Sequence, residues 1–249
     1  MNEKVCIVIP IQSINLNDIK AKINSALEYS PEFIEFRFDF LPNVEDLANT
    51  FIQQIKSFLK RDTYSIFTFR HVSEGGKVSI KDSSRFHILK SLIEQKPDFF
   101  DIEMNSSNQL LSDIINLCYM NKVNMILSYH NFLSTPSLEQ AKETILRFEE
   151  RIVENKLDEF DILSKSIYKI IFTAQKVEDN LIPFKLCQEF SKSYKKIISF
   201  CMGDIGILSR LFCIKLGSTM TYASLDEETA SGQINIKTFQ HLYEFMFSD

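Results

Sequence analysis

Eight short apolar runs, each followed by a longer stretch of helical periodicity, limit what this chain can fold into more than anything else in it. The runs fall at residues 5–11, 33–40, 64–70, 99–104, 123–130, 167–173, 197–202 and 220–224. β-Branched and aromatic residues dominate them, the composition of strands covered on both faces. The helical patterns fall at about 16–29, 44–59, 82–95, 107–121, 138–155, 179–193, 205–215 and 236–247. Asn43, Ser137 and Asp204 stand where N-caps are expected. Eight strand-then-helix units in 249 residues have the size and grammar of a (β/α)8, or TIM, barrel. An open doubly wound α/β sheet is the competing architecture. Against it, IPIQSINLND follows the first strand, where a dinucleotide-binding sheet carries Gly-x-Gly-x-x-Gly. Glycine and proline number six each and no linker-like stretch divides the chain, so residues 1–249 read as a single domain.

Composition narrows the function classes. The chain is 45% hydrophobic and 24% charged with a formal net charge of -5, ordinary for a globular protein. Mild acidity without a basic run longer than a dipeptide argues against nucleic acid or an anionic membrane as a main partner. The amino-terminal apolar stretch is too short for a signal peptide, and no segment approaches the length of a membrane span. Cys6, Cys118, Cys187, Cys201 and Cys213 are scattered through apolar segments without metal-ligand spacing. They are expected to be reduced core thiols of a cytoplasmic protein, with no structural metal.

Side chains on a strand alternate faces, so the placement of charge can be checked by parity. Glu35, Arg37 and Asp39 oppose Phe36, Phe38 and Phe40; Asp101 and Glu103 oppose Phe100, Ile102 and Met104; Thr68 and Arg70 oppose Phe67 and Phe69; Asn124, Ser128 and His130 oppose Met125, Leu127 and Tyr129. For one strand this fits a solvated face. Four such strands interleaved with helices put the phenylalanines against the helices and the charges inside the barrel, where they must be paired or used. Lys169 interrupts IYKIIFT and raises the same question alone. One reading is a lysine whose stem reaches to water. The other is an amine kept neutral by burial and by nearby arginines, free to attack a carbonyl. Lys165 is a rival nucleophile, although Ser164, Lys165 and Ser166 look like the polar lead-in to the strand. His71, His87 and His241 read as surface or packing residues.

Taken together, EFRFD (35–39), FTFRHVSEGG (67–76), FDIEM (100–104), SYHNF (128–132), YKI (168–170), MGDIGILSR (202–210), GSTMTY (217–222) and SGQ (231–233) resemble type I 3-dehydroquinate dehydratase over nearly the whole chain and in that family's order. The resemblance implies a Schiff-base enzyme of the shikimate pathway that dehydrates 3-dehydroquinate to 3-dehydroshikimate, its third step towards chorismate and the aromatic amino acids. It makes Lys169 the imine-forming nucleophile, His130 the general base and acid, and Glu74 the carboxylate that orients the histidine. Arg210 is implied as the clamp on the substrate carboxylate. Glu35, Arg37 and Arg70 would hold ring hydroxyls, with Thr229 and Gln233 coming from a closing segment. No cofactor or metal is expected, since the protonated imine is itself the electron sink. The family is commonly dimeric, so a homodimer is expected.

The match departs from the family in places. ASGQ stands where Ala-Pro-Gly-Gln is usual, so the closing segment is expected to be less preorganised, and Asn131 replaces an aspartate. IYKIIFTAQ carries bulkier residues than usual after Lys169. Two other readings stay open. A sugar-phosphate aldolase would use a phosphate site near Gly203, Gly206, Gly217 and Ser218. A barrel that only binds a ligand would have no need of Lys169, His130 and Glu74 together.

Overall fold

The computed structural model describes residues 4–44, 47–158, 160–193 and 195–247. Eight parallel strands carry the fold: β1 Val5–Pro10, β2 Phe33–Arg37, β3 Tyr64–Thr68, β4 Phe99–Glu103, β5 Asn124–His130, β6 Ile167–Thr173, β7 Lys196–Met202 and β8 Thr221–Ser224. Their order in the sheet, β7-β6-β5-β4-β3-β2-β1-β8, follows the chain, and β8 returns to pair with β1. Just before β8, the Thr219 N–H donates to the Ile197 carbonyl at 2.7 Å, which draws the remaining edges together. The result is a nearly closed (β/α)8 barrel. Its helices are α1 Leu16–Glu28, α2 Asn49–Ser57, α3 Asp82–Glu94, α4 Asn108–Asn121, α5 Leu138–Glu154, α6 Ile162–Lys165, α7 Leu181–Lys192, α8 Ile207–Phe212 and α9 Ile236–Phe247.

The alternation seen in the sequence sets the layers. Phe36, Phe67 and Phe100 are fully buried, and Phe36 and Phe38 meet Phe67 edge-on at 5.9 and 5.0 Å. The helices close over these faces through spaced apolar stripes, as on α5, where Ala141, Ile145, Phe148 and Ile152 are buried. Ser137 caps α5 as expected. Its hydroxyl accepts from the Gln140 N–H at 3.3 Å, and Gln140 answers by accepting from the Ser137 N–H at 3.1 Å.

Two caps are corrected. The second helix begins at Asn49 after Ala48, not near residue 44, so Asn43 does not cap it; residues 45 and 46 lie outside the described residues. Asp204 makes no side-chain cap, because Gly203 (φ 82°) leads into a 3₁₀ turn before α8. The side chain of Asn180 caps α8 from another loop, accepting from the Ser209 N–H at 2.9 Å.

Strands β2 and β3 also stop earlier than their apolar runs. After Arg37 the chain turns into a 3₁₀ helix at Phe38–Phe40. There Asp39 is fully buried and accepts from the backbone N–H groups of Arg70 and Lys77, both at 3.2 Å. A charged residue thus ends the strand by collecting donors that the next loop cannot pair otherwise.

Candidate active site

The carboxyl ends of the strands surround a cavity lined among others by Val8, Phe132, Ile171, Phe200, Met202 and Tyr222. The side chains to which the resemblance gives a role all line it as well: Glu35, Arg37, Arg70, Glu74, His130, Lys169, Arg210, Thr229 and Gln233; the rival Lys165 is exposed and does not. They come from six strands or the loops that follow them, and the barrel brings them to one mouth.

Lys169 sits mid-strand on β6, 5% exposed, with its amine inside the barrel. Its nearest charged neighbours are carboxylates, not the arginines expected beside it. Nζ lies 3.1 Å from Asp101 Oδ2 and 3.6 Å from Glu35 Oε1, and 4.2 Å from the centre of the Tyr222 ring. Two buried carboxylates therefore accompany the amine. Glu35 also accepts from the Thr68 hydroxyl at 2.7 Å. Asp101 accepts from Arg70 at 2.8 Å and from the Ser128 hydroxyl at 2.6 Å. Burial alone would raise the Asp101 carboxyl, but Arg70 and Lys169 outweigh it and hold it well below the usual carboxylate range.

His130 ends β5, and its Nδ1 lies 3.0 Å from Glu74 Oε2. The same oxygen accepts from the His130 backbone N–H at 3.1 Å, and Asn105 donates to the other oxygen at 3.2 Å. Burial pushes the two groups in opposite directions. The Glu74 carboxyl rises to about 7, driven first by desolvation, with Arg70 opposing and Glu103 and Asp101 adding to the rise. His130 is lowered well below its ordinary value, first by desolvation and then by Arg70 and Lys169. The imidazole is consequently neutral near pH 7. With Nδ1–H given to the Glu74 carboxylate, Nε2 is left with its lone pair, the form required of a general base.

The three arginines behave differently. Arg37 forks onto Asp39, with both contacts at 2.8 Å, not onto Glu35. Arg70 is shared among Asp101, Glu103 at 3.0 Å and the Ser128 hydroxyl at 2.5 Å. Arg210 is 1% exposed, yet among the described residues it has no ion pair, and its Nε and Nη2 have no hydrogen-bond partner. Its one contact from Nη1 is a long bond of 3.4 Å to the Tyr222 carbonyl, and its guanidinium lies 4.2 Å from the Phe200 ring centre. Desolvation lowers its pKa to about 10.

The profile of the family described as type I 3-dehydroquinase matches residues 6–249. The chain belongs to the type I 3-dehydroquinase family. It is 29% identical over 247 residues to the 3-dehydroquinate dehydratase of Alkaliphilus oremlandii, covering 98% of this chain and 91% of the relative. It superposes on the type I 3-dehydroquinate dehydratase of Clostridium difficile, solved with covalently modified comenic acid, with a TM-score of 0.80 and 26% identity, covering 98% of this chain and 92% of that one. The 3-dehydroquinate dehydratase of Geobacillus kaustophilus gives a TM-score of 0.82 over 99% and 93% of the two chains; at 20% identity that likeness speaks to the fold.

Within this type I 3-dehydroquinase chain, the closing segment after β8 is docked over the cavity, where Thr229, Ala230 and Gln233 form part of the wall. Gln233 accepts from the Thr229 N–H and hydroxyl, both at 2.8 Å. The unusual Ser231 holds the segment through its backbone: its carbonyl accepts from the Gly203 N–H at 3.1 Å. Gly232 (φ 70°) packs so close to Gly203 that an added Cβ would come within 2.3 Å of the Gly203 carbonyl oxygen. These contacts are made by main chain, so they do not require proline at position 231. Asn131 accepts from the Leu133 N–H at 2.9 Å and stabilises the loop after His130.

Sequence reasoning assigned no site role to Asp101, Tyr222 or Phe132. Asp101 was visible by parity as an inward charge, but nothing in the sequence pairs it with Lys169. Phe132 lies against Gly75, where a Cβ would meet its ring at 2.6 Å, a fit legible only in three dimensions.

Proposed function

We propose that Lys169, His130 and Glu74 carry the dehydration of 3-dehydroquinate to 3-dehydroshikimate, the reaction of the family to which the chain belongs, and that Arg210 binds the substrate carboxylate. The observation that carries this reading is the contrast inside one cavity. Every other cation there faces a carboxylate, while the buried Arg210 guanidinium has none among the described residues and is left with free N–H groups. Leaving a buried charge unpaired is costly unless a ligand completes it, and a carboxylate matches the guanidinium fork.

With the acid anchored at Arg210, the ring ketone lies over Lys169. The amine adds to C3, a proton moves from nitrogen to oxygen, and a second proton, delivered by His130 in its protonated form, takes the hydroxyl off as water, which leaves the protonated imine and a neutral imidazole. That cation makes the C2 proton acidic. His130 Nε2 takes this proton and the electron pair forms an enamine. The enamine then expels the C1 hydroxyl as His130 returns the proton to it, so that a second water leaves. The first water is recovered when the product imine is hydrolysed, and the net change is loss of one water. Glu74 holds the histidine in the required tautomer throughout and stabilises it while it carries two protons. Glu35, Arg37, Arg70, Thr229 and Gln233 surround the ring hydroxyls, and the docked segment keeps bulk water from the imine.

The same reading makes the chain a single catalytic domain acting in the cytoplasm. The five cysteines, all buried and free, suit a reducing compartment. No helix among the described residues is long and apolar enough to cross a membrane. A homodimer is proposed from the habit of the family.

Incubation with 3-dehydroquinate and borohydride tests the assignment. Peptide mass mapping is expected to find the reduced adduct on Lys169, and Lys169→Met is expected to lose both adduct and turnover, the latter by on the order of 10⁴-fold or more. An adduct on Lys165, or none, overturns it.

A further inference from the structure

The residues just assigned leave out β4, although its inward face carries Asp101 and Glu103, and Asn105 follows in the same parity. Each of these three holds a different part of the machinery. Asp101 meets the Lys169 amine. Glu103 Oε1 accepts from Arg70 at 3.0 Å and from the His71 backbone N–H at 2.9 Å, and its other oxygen is taken by Arg85 of α3. Those bonds pin both residues that lead into the 3₁₀ turn Val72–Glu74. Asn105 then donates to Glu74 Oε1, the oxygen that His130 does not use.

We infer that Asn105 is a positioning residue for the dehydration: by holding the free oxygen of Glu74 it fixes the carboxylate in the orientation that presents Oε2 to His130. The inference rests on the roles proposed for His130 and Glu74. Geometry alone separates it from a packing role. Asn105 is itself exposed and contributes no apolar burial, and its amide reaches a buried carboxylate already engaged with the histidine. No substrate contact is required of it, since it does not line the catalytic cavity.

The electrostatics give the inference a sign. The charged groups acting on Glu74 are Arg70, which favours the carboxylate, and Glu103 and Asp101, which disfavour it; Asn105 favours it through its hydrogen bond. His130 sits on the remaining side and is neutral near pH 7. When Glu74 is protonated it donates to Nδ1, the ring proton moves to Nε2, and the base is lost. The acid limb of kcat therefore follows the Glu74 carboxyl. Asn105→Ala removes a donor to the carboxylate and moves the limb up by about half to one pH unit. Asn105→Asp removes the donor and adds like charge, so its limb lies higher still. Glu103→Gln removes a repelling charge and moves the limb down.

The experiment is the pH profile of kcat and KM for these three variants beside the unaltered protein, with borohydride trapping on each. The expected order of acid limbs, from high to low pH, is Asn105→Asp, Asn105→Ala, unaltered, Glu103→Gln, with KM nearly constant in the two Asn105 variants. Because Asn105 is exposed, its variants carry the test even if Glu103→Gln fails to fold. A trapped adduct with an unmoved limb in both Asn105 variants overturns the inference alone, as does a rise in KM at constant kcat. Absence of any Lys169 adduct in the unaltered protein overturns the roles on which it rests.

Discussion

Arg70 and Arg210 line the same cavity at similar depth, 2% and 1% exposed, and are solvated by the protein in opposite ways. Arg70 has two carboxylates and a hydroxyl, and these neighbours outweigh desolvation and raise its pKa well above the ordinary value. Arg210 has a carbonyl at 3.4 Å and an aromatic ring, and desolvation brings it down to about 10. The comparison extends to the regions around them. From β2 to β6 the inner face carries matched charges, Lys169 with Glu35 and Asp101, and Arg70 with Asp101 and Glu103. On the β7–β8 side, Phe200, Met202 and Tyr222 leave Arg210 alone. The matched side is complete without a ligand and positions groups. The unmatched side is completed by one.

The largest test of this contrast is Arg70→Met. Removing one member of a buried ion network strands Asp101 and Glu103 without their shared cation, and a loss of about 3–5 kcal/mol of stability in urea unfolding is expected. Turnover should become undetectable, because Asp101 and the turn bearing Glu74 both lose their anchor. A loss below about 1 kcal/mol would show that the network does not hold the site together.

Much of the matched side could be read before any coordinates. Parity alone put Glu35, Arg70, Asp101 and Glu103 on inward faces, because a strand's period of two leaves no alternative once the phenylalanines are committed to the helices. Parity does not say which charges meet. Arg37 pairs two residues along its own chain with Asp39, across a strand end that looked like continuous strand, and Lys169 meets carboxylates from β2 and β4. Nor do local signals report caps supplied from elsewhere: Asp204 looked like an N-cap, but Asn180, twenty-five or so positions earlier, holds α8. The solitude of Arg210 is still less legible. A missing partner is a property of the assembled mouth, set by side chains from other strands and not by the residues beside Arg210 in the chain.

Glu74 sharpens the comparison from within the matched side, since Arg70 is already committed to other carboxylates. Its carboxyl is raised from an ordinary 4.5 to about 7, a difference worth roughly 3 kcal/mol. The folded protein keeps a proton on Glu74 that the unfolded chain releases near pH 4.5. The stability linked to this group is therefore fully present below that pH and is lost as pH rises through about 7. Glu74→Gln removes this dependence. Its stability relative to the unaltered protein should climb by roughly 3 kcal/mol between pH 4.5 and 8, as read by urea midpoints across that range, while turnover falls. His130 titrates oppositely over part of the window, but it is present in both proteins and largely cancels in the difference. A flat difference would mean that Glu74 is as well matched as Asp101.

Arg210→Met is the smallest perturbation of the fold and the one that separates the two arginines most sharply. If Arg210 were structural, its loss would resemble that of Arg70. Instead the variant exchanges an unpaired buried cation for an apolar chain that can pack on Phe200, so stability without ligand should stay the same or rise by about 1 kcal/mol. The cost should appear only when the substrate acid arrives: KM is expected to rise about 10- to 100-fold, the worth of a charge-assisted hydrogen bond to a carboxylate. Arg210→Lys should recover only part of it, because an ammonium keeps the charge but not the fork. Loss of stability with an unchanged KM would reverse the assignment and make Arg210 the structural residue of the pair.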